Sequence, residues 1–175
     1  MRTFGKKSPV IEVIKGDITH LDVDIIVNAA NRTLLGGGGV DGAIHKAAGP
    51  GLLDECIKLN GCETGDAKLT KGYNLKAKYI IHTVGPVWRD GISDEHRLLA
   101  SCYQKSLALA AEKKAKSIAF PGISTGVYGF PKDQAAMIAV TETRRFLKKN
   151  SLPEKVVFVA FDNVSLHLYQ QLLTE

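Results

Sequence analysis

The apolar positions of the chain change period as they run. Residues 9–15 (PVIEVIK) alternate β-branched and polar side chains and predict a strand that stops at Gly16-Asp17. Residues 23–28 carry the run Ile25-Ile26-Val27, which predicts a strand buried on both faces and ending at Asn28. Residues 67–70 and 78–84 predict two more strands, joined by a turn region at Gly72-Tyr73-Asn74. Residues 117–120 and 156–161 complete the set. Between them, apolar residues recur at three- and four-residue steps and predict helices. One opens on Asp41, with Ala43, Ile44, Ala47 and Ala48 on a single stripe, and a second starts near Pro50 and stops at Asn60-Gly61. A long helix over residues 95–116 turns Leu98, Leu99, Cys102, Tyr103, Leu107 and Ala110 inward. Another over residues 132–149 does so with Ala136, Ala139, Val140, Thr143, Phe146 and Leu147, and residues 164–173 form the last.

Strands alternating with helices predict an α/β fold, a three-layer α/β/α sandwich. The third and fourth strands lack a helix between them, so the central sheet is expected to be mixed. A chain of 175 residues without repeat or linker is expected to be a single domain, residues 1–175. With 45% apolar and 23% charged residues it has the composition of a soluble protein. There is no membrane-length apolar run and no signal-peptide core, so a cytoplasmic, membrane-free protein is expected.

Cys56, Cys62 and Cys102 lack metal-ligand spacing and predict reduced, mostly buried thiols. The five histidines are scattered, and no metal is expected. The net charge of +5 is spread over helix ends, including Lys113, Lys114 and Lys116, and Arg144, Arg145, Lys148 and Lys149. This favours solvated helix termini over a nucleic-acid face.

The chemistry concentrates in residues 23–49, VDIIVNAANRTLLGGGGVDGAIHKAAG. A strand leads through Asn28 and Asn31 into the glycines Gly36 to Gly39, followed by Val40 and Asp41. Bare glycine amides next to a helix start make an anion cradle. Gly37, Gly39 and Gly42 satisfy G-x-G-x-x-G, but they stand too far beyond the strand for a dinucleotide fingerprint. No G-K-[ST] follows, which excludes a P-loop. A second small-residue loop, Ser124-Thr125-Gly126-Val127-Tyr128-Gly129, offers further amides and hydroxyls to phosphate oxygens.

NAAN, GGGGVDGAIHKAAGP, HTVGP and PGISTGVYGFP, in this order, resemble the macrodomain family and its MacroD-type branch. The likeness runs from Gly16-Asp17-Ile18-Thr19 to Phe161-Asp162. It implies ADP-ribose as ligand, without metal or redox cofactor, and hydrolysis of an ester at the distal ribose. The partners implied are ADP-ribosylated proteins and O-acetyl-ADP-ribose, with ADP-ribosylated nucleic-acid ends left unsupported by this sequence.

The resemblance places Asp17 and the Ile18 amide on the adenine, with Phe161 stacking on it. Gly37, Gly38, Gly39 and Val40 fall beside the diphosphate, and residues 124–128 fall on the distal phosphate and ribose, with Tyr128 as a lid. Asn31 and Asp41 are implied as the catalytic pair. Asn31 offers a donor and an acceptor, whereas ionised Asp41 only accepts. A helix start favours the charged carboxylate, so Asp41 is expected to orient water and ribose, with a substrate phosphate oxygen sharing the proton.

Each position also has a plainer reading. Asp17 suits a turn, Asp41 a helix cap, Phe161 the core and Tyr128 the surface. Asn28 is expected to brace the elbow through backbone hydrogen bonds, with the sugar as a second contact. His45, one turn after Asp41, either supports the site or is structural. A module that reads ADP-ribose without cleaving it would use the same cradle, and a phosphatase on ADP-ribose phosphate fits less well. No dimer face is visible, and a monomer is expected.

Overall fold

The β-branched runs become strands where both of their faces can be covered: β1 (Val10–Lys15), β2 (Ile25–Ala29), β3 (Ala67–Lys71), β4 (Tyr79–Thr83), β5 (Ser117–Phe120) and β6 (Lys155–Ala160). A computed structural model describes residues 8–175. The strands form one sheet in the order β1-β6-β5-β2-β4-β3, parallel except for β3, which runs antiparallel to β4. A short turn can join only antiparallel neighbours, so the missing helix between these two makes the sheet mixed.

Successive residues of β2 serve two cores. Ile25 and Val27 join Tyr103, Phe120, Ala139 and Phe158 on the face covered by α3 (Glu95–Glu112), α4 (Lys132–Lys149) and α5 (Asn163–Thr174). Ile26 joins Ile44, Leu52 and Ile80 on the face covered by α1 (Gly39–Ala48) and α2 (Pro50–Lys58). The result is the expected three-layer sandwich. From β2 the chain passes over one face toward β3, and from β5 it passes over the other toward β6. Connections that part in this way open a crevice at the carboxyl ends of the two strands.

Most element ends shift by one or two residues from the sequence expectation, and three of the differences change how the chain is read. α1 begins at Gly39 with Gly38 as N-cap, so Asp41 lies inside the first turn, and Ala43 faces solvent. α3 ends at Glu112, before Lys116, because Lys114 turns left-handed (φ 57°) while the amides of Lys114 and Ala115 close onto the carbonyls of Ala111 and Ala110. β6 ends at Ala160, which leaves Phe161 outside the strand.

The segment before α3 is held by Glu95, 2% exposed, which accepts the amides of Arg89, Asp90, Gly91 and Ser93 at 2.7–3.1 Å. Those bonds, Arg89 first, draw its carboxyl down to about 2. Trp88 packs on Phe130 (4.8 Å) and donates its amide to the Tyr128 carbonyl (2.8 Å), fastening this segment to the loop after β5. No described helix is long and apolar enough to cross a membrane.

Candidate functional site

Asn31 ties down the entry to the glycine run. Its Oδ1 accepts from the Thr33 amide and hydroxyl and the Leu34 amide, and its Nδ2 donates to the Gly36 carbonyl at 2.9 Å. Leu34 holds a left-handed backbone (φ 61°) while its side chain is buried, a conformation costing about 1–2 kcal/mol that the surrounding packing must hold. Beyond it, Gly37, Gly38 and Gly39 are exposed and Val40 is half-buried. α1 starts with no side-chain cap, so its first amides stay bare. A Cβ on Gly42 would collide with the Gly37 carbonyl, so the loop can fold back on the helix only because residue 42 is glycine.

Asp41 is 5% exposed and caps nothing. Its Oδ1 accepts from Asn28 Nδ2 at 2.8 Å. No described donor reaches its Oδ2. A Cβ built on Gly37 would stand 3.1 Å from that oxygen and 3.4 Å from Asn31 Nδ2, so the two side chains converge on one backbone point. His45 Nε2 lies 3.5 Å from Asp41 Oδ1 without a hydrogen bond, within reach for an ion pair if the ring is protonated.

Asn28 departs from its expected backbone bracing. It is fully buried, and its Nδ2 sits between Asp41 Oδ1 and His82 Nδ1, 3.1 Å away. Asn28 and His82 are register partners on parallel β2 and β4, which points both side chains to the α1 face. An amide nitrogen only donates, so His82 Nδ1 must accept. His82 Nε2–H then donates to Thr70 Oγ1 (2.9 Å), which passes its own hydrogen to the Lys71 carbonyl (3.1 Å). Burial, and then the neighbouring His45, hold the His82 pKa down at about 3. Asn28 Oδ1 has no described partner, at a cost of about 1–3 kcal/mol for a buried acceptor. His82 lies within the HTVGP motif, but nothing in that motif assigns it a role. Its only sequence signal is a polar residue inside an apolar strand.

In the loop after β5, Ser124 is left-handed (φ 65°) and buried, with its Oγ unpartnered against Gly85. A Cβ on Gly85 would collide with that hydroxyl and stand 2.7 Å from Ile123 Cγ2, which gives the glycine of HTVGP its purpose. The amides of Gly129 and Phe130 close onto the carbonyls of Gly126 and Ser124. Those of Thr125, Gly126, Val127 and Tyr128 meet no acceptor among the described residues. Gly126 and Val127 are exposed, Thr125 and Tyr128 half-buried.

Toward the other side of the crevice, Asp17 caps a single 3-10 turn (Ile18–His20), accepting from the Thr19 amide (2.9 Å) and hydroxyl (2.6 Å), bonds that lower its pKa. Ile18 buries its side chain, while its amide has no described acceptor. Phe161 is 93% exposed, so the core reading fails. Asp162 beside it caps α5 and pairs with Lys132 at 2.7 Å, which draws its carboxyl to about 2.

A recess of about 490 Å³ between α2 and Tyr73 lies at the opposite sheet edge, and its Glu55, Tyr73 and Lys71 amide satisfy one another. The three cysteines are free and buried. No described His, Cys, Asp and Glu cluster is arranged to hold a metal ion.

The Macro domain family matches residues 27–139. The Escherichia coli protein named O-acetyl-ADP-ribose deacetylase is 54% identical over 169 residues, covering 94% of this chain and 96% of that one. The Xenopus laevis protein named ADP-ribose glycohydrolase MACROD2 is 56% identical over 167 residues, covering 94% of this chain but 40% of its own length. Among solved structures, the Trypanosoma brucei macrodomain in complex with ADP-ribose superposes with a TM-score of 0.87 at 46% identity, covering 93% of this chain and 68% of that one. With a family match across more than half its length and relatives this similar over nearly all of it, the chain belongs to the macrodomain family.

Proposed function

We propose that this protein is a hydrolase that binds ADP-ribose and cleaves the ester at its distal ribose. It would remove mono-ADP-ribose from aspartate and glutamate side chains and acetate from O-acetyl-ADP-ribose. The observation that carries this reading is the Asp41 carboxylate, buried, held on one oxygen by Asn28 and with the other directed at the point where Asn31 and Gly37 meet. A helix cap would spend its carboxylate on first-turn amides, as Asp17 does on Thr19, whereas Asp41 accepts from none of them.

In this reading the bare amides of residues 125–128 and of the α1 start grip the diphosphate, where backbone N–H groups and the helix dipole favour negative charge. Asp17 and the Ile18 amide take the adenine edge, and Phe161 stacks on its face. Asp41 Oδ2 and the second amide hydrogen of Asn31 hold the ribose and a water. The water oxygen bonds to the ester carbon, the carbon–oxygen bond to the sugar breaks, and the sugar hydroxyl leaves with a proton. A substrate phosphate oxygen shares the proton with Asp41. Residues 1–175 act as one monomeric, cytoplasmic macrodomain.

One observation favours the reader alternative. Asn31 already spends its oxygen and one amide hydrogen on its own loop, as a purely structural residue would. Incubation with a protein ADP-ribosylated on glutamate and, separately, with O-acetyl-ADP-ribose decides between the two. Release of free ADP-ribose is expected from both. Calorimetric binding of ADP-ribose with no release from either substrate makes the protein a reader.

A further inference from the structure

We infer that His82 is a positioning residue, which holds the Asp41 carboxylate in register by acting through the side-chain amide of Asn28. The inference rests on the hydrolase reading of the Asp41 site, but its geometry stands independently.

Asn28 Nδ2 has two hydrogens and two acceptors, Asp41 Oδ1 at 2.8 Å and His82 Nδ1 at 3.1 Å. An amide flip would set Asn28 Oδ1 against the carboxylate and against an imidazole nitrogen that has no hydrogen to offer. Flanking acceptors therefore hold the amide one way round. Thr70 sets the tautomer that makes Nδ1 an acceptor, and full burial keeps the ring neutral. The chain from the Lys71 carbonyl through Thr70, His82 and Asn28 to Asp41 crosses from the sheet to α1, and its side contacts are longer: Cys56 Sγ at 3.9 Å from His82 Nε2 and His45 Nε2 at 3.5 Å from Asp41 Oδ1. Asn28 Oδ1, buried and unpartnered, indicates that the amide is oriented for its nitrogen rather than for the pair of its atoms. With one Asp41 oxygen fixed in this way, the other has a fixed direction toward the ribose.

The test uses the full chain with His82→Leu, His82→Asn and Thr70→Val. His82→Leu lowers kcat on O-acetyl-ADP-ribose about 10- to 100-fold, the scale of an orientation loss, while the Kd for ADP-ribose and the KM stay within about 3-fold. His82→Asn regains most of the rate, because a carboxamide oxygen can stand where Nδ1 stood. Thr70→Val gives a smaller loss and remains informative if His82→Leu does not fold. Nitrogen-15 spectra of the parent at pH 7 show His82 as the neutral Nε2–H tautomer. Parent-like kcat in a folded His82→Leu, equal damage by Leu and Asn, or an Nδ1–H or doubly protonated ring would each overturn the inference. A parent that binds ADP-ribose but cleaves nothing overturns the hydrolase reading instead, and the tautomer then decides the hydrogen-bond chain alone.

Discussion

The loop leading into α1 and the loop following β5 leave neighbouring strands at the same sheet edge, yet they are built in opposite ways. In the first, side chains do the work: Asn28, Asn31, Asp41 and His82 are bonded to one another or to their own loop, mostly out of solvent. In the second, the side chains stand aside and four consecutive amides remain bare. Each loop also holds one left-handed residue that is not glycine, Leu34 or Ser124, so both shapes are maintained against local preference. A carboxylate that must point at one bond requires fixed partners. A diphosphate requires only a concave surface of donors. The contrast separates the two tasks, orientation and grip, and makes them separately breakable.

The largest effect is expected at the orienting side. Asp41→Ala lowers turnover about 10³-fold, in the range for loss of a positioned acid–base group, while ADP-ribose affinity changes less than about 10-fold. Single-turnover assays and calorimetry on the same preparation check it, and parent-like turnover would remove Asp41 from the chemistry. Next comes the gripping side. Gly126→Glu weakens ADP-ribose binding by at least about 100-fold, some 2.7 kcal/mol, through like-charge conflict and blocked amides. A Cβ there meets no atom within 4 Å, so the thermal midpoint stays near that of the parent. Unchanged calorimetric affinity would mean that this loop does not hold the phosphate.

The smallest effect concerns the buried relay and pH. The unfolded chain protonates His82 near 6.5, whereas the folded protein holds it neutral down to about 3. Between these values the unfolded state carries the extra proton, so stability is lost as pH falls, by up to about 1.4 kcal/mol per pH unit from this residue. Glu95, drawn to about 2, adds its own loss only below its ordinary value of 4.5. Denaturant melts from pH 7 to 5 should show the slope in the parent and a flatter one in His82→Asn. Equal slopes would show that the ring is not held neutral by the fold.

Much of this could be read along the chain. The strand runs, the mixed sheet implied by two adjacent strands, the glycine run and the ten-residue spacing of Asn31 and Asp41 are statements about neighbours in sequence, and backbone preference and burial act over that range. The expectation fails where a single backbone turn or a distant contact outweighs the local pattern. α3 stops short of its charged tail because Lys114 turns left-handed, and α1 begins at Gly39, which sets Asp41 inside its first turn where Asn28 reaches it from β2. Phe161 could not be assigned from a strand apolar on both faces, and only the end of the β6 ladder at Ala160 put it in solvent. The pairing of Asn28 with His82, 54 residues apart, was beyond any sequence pattern. It depends on strand register, which the whole sheet fixes at once, and a shift by one residue would turn one of the two side chains to the opposite face.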